Sequence, residues 1–207
     1  MKTLIKGIIN KRKNEKNPKD IFGDIFILNS EEIDSPYKNL KEYSTILNAC
    51  GRMNKGSLGI AICIGSKKAK NEGIDLLKNY KQEILKSLKW YEKNKNSKYV
   101  IKKNSYLIIN SQANILPNLI GTIASIISYS SDAKSIKYII TMAQNVDSST
   151  KISLRYTGKE NVDLRKLISK IMKDIEGNYG GHKNAAGAII SSKDENKFIE
   201  SVENNFK

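Results

Sequence analysis

Between Ala69 and Tyr91 the apolar residues Ile74, Leu77, Tyr80, Ile84, Leu88 and Tyr91 recur at three- and four-residue spacing, with lysines between them. This spacing predicts one long amphipathic helix, whose apolar stripe must pack against other elements. The chain can supply them: 207 residues, 39% of them hydrophobic, build a real core and exclude a wholly disordered basic tail. The polar run KNKNSK, Lys93 to Lys98, ends the helix and sets a boundary between a section 1–97 and a domain 98–207.

The same helix carries most of the charge. The chain has 36 Lys and Arg against 21 Asp and Glu, a net +15. Residues 1–50 hold nine bases and seven acids, 51–104 fourteen and four, and 105–207 thirteen and ten. The excess is therefore a stripe that includes Lys67, Lys68, Lys70, Lys78, Lys81, Lys86, Lys89, Lys93, Lys95 and Lys98. Two readings fit it, a solvated lysine-rich helix face and attraction to a polyanion such as nucleic acid. With only four arginines, the surplus suits diffuse phosphate attraction better than a field of bidentate base readers. No stretch approaches the roughly 20 apolar residues of a membrane span. The apolar start Leu4 to Ile9 is short and lacks a small-residue cleavage site, so a cytoplasmic location without membrane contact is expected. Cys50 and Cys63 are too few for a disulfide scaffold and sit in no zinc-binding spacing.

In the first section, the start of the chain reads as a helix end followed by the polar loop KRKNEKNPK. Ile21 to Leu28 reads as a strand, with Asp20 and Asp24 as turn and edge residues. Leu40 to Met53 reads as a helix, and Ser57 to Gly65 fits either a short helix or a strand. After the boundary, strands at Tyr99–Lys103, Tyr106–Asn110, Ile136–Ala143 and Lys151–Arg155 alternate with helices near Leu116–Tyr129 and Asp163–Ile175. SYSSDAKS reads as a polar loop. A glycine-rich loop, the strand AAGAIIS and a helix Glu195–Phe206 close the chain. The fold class is α/β, a long connecting helix followed by a small mixed β-sheet domain flanked by helices.

Two motifs could carry function. GNYGGHKNAAGA, Gly177 to Ala188, holds the only histidine. Gly180 and Gly181 can present backbone N–H groups to an anion, Ala185, Ala186 and Gly187 allow close approach, and His182 can donate to a phosphate or stack on a base. A glycine-rich turn whose histidine merely satisfies the loop is the bland alternative. In KISLR, Lys151 to Arg155, strand alternation sends Lys151, Ser153 and Arg155 to one face. Ser153, Arg155 and His182 could form a shallow phosphate surface, because arginine offers a planar fork of donors. A solvated sheet face is the alternative.

GGHKNAAGA after a strand containing SLR resembles the DHH-associated domain, the nucleic-acid-binding C-terminal module of DHH-family phosphoesterases such as RecJ. LNACGRMNKGSLGIAICIG resembles the segment that archaeal RecJ-like nucleases carry before their connecting helix, and NLIGTIASIIS and DSSTKISLR resemble that group's C-terminal domain. The resemblance extends from about Ile21 onward and implies nucleic-acid binding by Ser153, Arg155, Gly180, Gly181, His182, Asn184, Ala185, Ala186 and Gly187. Arg52 is the weaker assignment, since capping and packing explain NACGR as well. The family's two divalent metals lie in a separate DHH domain. This chain has no DHH triplet and no DxD, so no catalytic residue, metal ligand or cofactor is assigned to it. Mn2+ or Mg2+ is expected in a DHH-domain partner.

The leading expectation is thus a single-strand-binding subunit of a split archaeal RecJ-like exonuclease, acting in DNA repair or replication and not catalytic alone. The alternative is a non-catalytic single-strand-binding or scaffold subunit of a replication complex associated with GINS. A tRNA-binding role, by likeness to the C-terminal module of alanyl-tRNA synthetases, ranks last.

Overall fold

The computed structural model describes residues 2–12, 23–130, 133, 135–158 and 160–206. The chain forms two compact units, one of residues 1–51 and 55–77, the other of 52–54 and 78–207. They divide within the long helix, so the helix contributes residues to both.

The first unit is helical. It contains α1 (Lys2–Lys11), α2 (Leu40–Arg52) up to Gly51, α3 (Gly56–Cys63) and the start of α4 (Lys67–Asn94). The ambiguous apolar run at 57–65 is thus a helix. Tyr37, Ile46, Cys50, Ile62 and Ala69 form the core. Gly73 permits the close approach of α4, because a Cβ there would lie 2.6 Å from Ile62 Cδ1 and 2.7 Å from Tyr37 Oη. The Tyr37 hydroxyl donates to the Lys70 carbonyl at 2.6 Å, and burial pushes its pKa up to about 12. The strand expected at 21–28 needs correction. Residues 21 and 22 lie outside the described residues, and over 23–28 only Ile27 pairs, as a single bridge to Asn39. Its Ile and Phe content fits a strand, but Ile25, Phe26 and Ile27 are all exposed and, among the described residues, no second strand flanks them to extend the pairing. The polar loop expected at 11–19 lies beyond residue 12 outside the described residues, as does Asp20.

The second unit is a six-stranded mixed sheet of order β1-β2-β3-β4-β6-β5. Its strands are β1 (Val100–Lys102), β2 (Tyr106–Asn110), β3 (Tyr138–Gln144), β4 (Ser149–Tyr156), β5 (Gly177–His182) and β6 (Ala185–Ser191). Only β2 and β3 are parallel. They are joined through α5 (Ile120–Ser128), the crossover that a parallel pair requires. The β3–β4 hairpin turns at Ser148, which takes a left-handed φ of 60°. Of the expected loop SYSSDAKS, residues 131, 132 and 134 lie outside the described residues.

Strand alternation sorts the two faces. Ile108, Ile140, Met142, Ile152, Leu154, Ala186, Ala188 and Ile190 point to one side, where they pack with Leu164, Ile168 and Ile171 of α6 (Leu164–Ile171) and Phe198 and Val202 of α7 (Glu195–Asn205). On the opposite side α5 packs over β3 and β4, where Thr141 Oγ1 donates to the Ile120 carbonyl at 3.1 Å, and Leu107 and Ile109 of β2 are buried as well, while Ile189 of β6 and every position of β5 are exposed. The carboxylate of Glu195 is buried at the start of α7. It accepts hydrogen bonds from Asn110, Gln112, Gln144 and Thr150, which ties α7 to three strands. No helix among the described residues is long and apolar enough to cross a membrane.

Candidate functional site

On the side of the sheet where α5 packs, β4 places Lys151, Ser153 and Arg155, as the period-two reading of KISLR predicts, with Ser153 buried against α5 and Lys151 and Arg155 half-buried. The pairing registers extend each of these residues into a row across the sheet. Arg155 lies opposite Ala185, which lies opposite His182; Ser153 leads to Gly187 and Gly180; Lys151 leads to Ile189 and Asn178. Arg155 and His182 are therefore two strands apart, about 10 Å.

The segment read as a glycine-rich loop is a β-hairpin, and this corrects the sequence expectation. β5 forms the sheet edge, Lys183 and Asn184 make the two-residue turn, and the Leu164 N–H donates to the Lys183 carbonyl at 3.0 Å. The hairpin requires three of its glycines. Gly177 and Gly181 have φ of 154° and 146°, and Cβ atoms there would lie 2.3 Å from the Ile189 carbonyl oxygen and 2.4 Å from that of Ala185. A Cβ at Gly187 would lie 2.7 Å from the Ile152 carbonyl oxygen.

Arg155 is half-buried beside α5. Its guanidinium and Nε reach the Leu154 carbonyl at 3.0 Å, Ser125 Oγ at 3.3 Å and the Gly121 carbonyl at 3.5 Å. Gly121 makes room for it, since a Cβ there would lie 2.9 Å from Arg155 Nη2. Lys151 Nζ donates to Asn118 Oδ1 at 2.6 Å, and Arg52, at the end of α2, donates to the Asn118 carbonyl at 3.3 Å. Among the described residues, none of these three cations forms an ion pair with a carboxylate. Burial first, then the positive charge of Arg52, pushes the pKa values of Lys151 and Arg155 below their ordinary ranges. Half-buried cations that repel one another and touch only neutral acceptors would each be stabilised by an anion placed beside them.

Between Lys151 and Asn178 the bare backbones of Gly180 and Gly187 floor a shallow depression of about 270 Å³. The face thus brings together Arg155, Gly180, His182, Ala185 and Gly187, with Arg52 close enough to act on Lys151 and Arg155, whereas Ser153 shares their side of the sheet but is buried against Gly121 of α5. Ala186 is buried in the core on the opposite face and offers a ligand no side chain. Gly181 lies opposite Ala186 and shares that other face. Asn184 is exposed in the turn. Lys151, which the strand period places on this face without naming it as a contact, lines the site with Asn118 and Asn178, and the buried Gly121 shapes it; the last three have no motif of their own in the sequence. The available signal was Gly121, a glycine in the otherwise helix-compatible IGTIASIIS, which suggests close approach by a neighbour. Among the described residues, no three His, Cys, Asp or Glu side chains gather as metal ligands.

A family model described as the DHHA1 domain matches residues 96–207. An uncharacterized protein of Methanocaldococcus jannaschii is 28% identical over 166 residues, which are 77% of this chain and 33% of that protein. The chain thus spans about a third of that relative's length. In fold it is similar to RecJ from Thermus thermophilus in complex with Mn2+, with a TM-score of 0.60 and 16% identity over 78% of this chain and 23% of that one. CDC45 from Entamoeba histolytica is similar at a TM-score of 0.50 and 9% identity, over 78% of this chain and 37% of that one.

Proposed function

Because this chain belongs to the DHHA1 domain family, with the RecJ-like fold of a DHH-associated domain, we propose that it holds single-stranded nucleic acid for a RecJ-like exonuclease. A DHH-domain partner would carry Mn2+ or Mg2+ and perform the phosphodiester hydrolysis. One observation carries the reading: Arg155 and Lys151 lie half-buried with only neutral partners, beside a glycine-floored depression. Arginine's fork suits two phosphate oxygens, and the glycines let a backbone come close. His182 stands in the Arg155 row to meet the next part of the strand. These contacts address sugar and phosphate, so they position the strand without reading its sequence.

Reconstitution tests the enzymatic part. Purified chain mixed with a DHH-domain partner and Mn2+ is expected to degrade single-stranded DNA or RNA from an end, and an Arg155→Ala chain to slow that reaction. The second reading, a non-catalytic GINS-associated scaffold, draws on the fold likeness to CDC45. It expects binding to nucleic acid or GINS with no metal-dependent hydrolysis by any mixture.

A further inference from the structure

A second depression, of about 760 Å³, lies on the other side of the glycine hairpin. Arg165, Lys166, Ser169 and Lys170 of α6 and Tyr179 of β5 line it. Arg165, Lys166 and Lys170 are exposed, and among the described residues none of them forms an ion pair with a carboxylate. Asp163 also lines the depression, but its carboxylate is engaged in capping α6, accepting from the backbone N–H groups of Arg165 at 3.0 Å and Lys166 at 3.3 Å, so three cations there face one acid. Tyr179 leaves 49% of its surface exposed, which keeps a ring available for stacking on a base.

Tyr179 and Gly180 line both depressions, so the two meet across the β5 edge. Gly180 differs from the other hairpin glycines. Its φ lies outside the left-handed region, and a Cβ there would meet nothing within 4 Å. The fold does not need a glycine at this place, whereas a chain crossing the edge does, since any side chain would stand in its path.

We propose that a single-stranded nucleic acid leaves the Lys151–Arg155 face over Gly180 and continues along α6, held by Arg165, Lys166 and Lys170, with Tyr179 under a base. This rests on the nucleic-acid reading above and adds a path and a second contact zone. The test titrates fluorescent single strands of about 4 and about 16 nucleotides across a salt series, using the full chain and the triple variant Arg165→Gln, Lys166→Gln, Lys170→Gln. For the long strand, losing three phosphate contacts is expected to flatten the slope of log K against log salt by about 2 and to weaken binding about tenfold at low salt. The short strand is expected to bind as before. Gly180→Val is expected to weaken the long strand while leaving thermal unfolding unchanged, as the space for its side chain is open. An unchanged long-strand slope, or equal losses at both lengths, overturns the crossing. If instead Arg155→Ala leaves both lengths unaffected, the underlying reading of the β4 face fails, and the crossing with it.

Discussion

Lys151 carries its charge in a place that disfavours it, half-buried and near Arg52, and its pKa is held below the ordinary lysine range. A phosphate beside it would reverse that shift. The complex then holds its proton to higher pH than the free protein does, so affinity should fall as pH rises through the free lysine's pKa. Lys151→Met should abolish this pH dependence in titrations carried up to the ordinary lysine range, about pH 10. Removing a half-buried charge should also stabilise the fold by about 1 kcal/mol, a rise in Tm of about 2–4 °C. Glu195 works in the opposite sense. Burial alone would raise its pKa, yet the bonds from Thr150, Asn110, Gln144 and Gln112 outweigh burial and hold it below the usual glutamate range. Its stabilisation is therefore present above the unfolded-state value of about 4.3 and is lost as pH falls through the lower folded value. Glu195→Gln replaces one acceptor oxygen with an NH2 donor that faces a ring of donors, and should cost about 1–3 kcal/mol at pH 7. Urea unfolding of the variant should respond less to pH below about 4 than that of the parent chain.

At the scale of elements, α5 sets the position of Arg155. Gly121→Ala improves helix propensity by about 1 kcal/mol, but its Cβ would fall 2.9 Å from Arg155 Nη2, the mobile end of a long side chain. The expected outcome is unchanged or higher Tm with severalfold weaker nucleic-acid binding, measured on one preparation. Elements defined by side-chain pattern were legible in the sequence: YLIIN is β2, the spacing through Tyr91 is α4, and KISLR alternates as β4 does. β5 was not, because GNYGGH has no β-branched residue and every position is exposed, so its strand character comes from backbone pairing with β6. The converse error at 23–28 has the same root. Strand-forming side chains there meet too few partners to make a sheet. The candidate residues could be named from the two motifs, but which face each one joins depends on register. Register sends Gly180 and Gly187 to the open face and Ala186 to the core.

Across the whole molecule, bulk charge and placed charge are separate. The lysines of α4 belong to the segment with fourteen bases and four acids, while β4 and the hairpin lie in the nearly balanced stretch after residue 104. Exposed lysines on α4 raise the encounter rate with a polyanion and are screened by salt. Arg155 and Lys151 are half-buried and less screened, and they fix where the strand lies. The most direct measurement is fluorescence anisotropy of a short single-stranded oligonucleotide, titrated at low salt with the parent chain and with Arg155→Ala, the variant's fold checked by thermal unfolding. A phosphate-binding β4 face predicts at least tenfold weaker binding by a variant whose Tm is unchanged or higher. Equal affinity for the two proteins would contradict it.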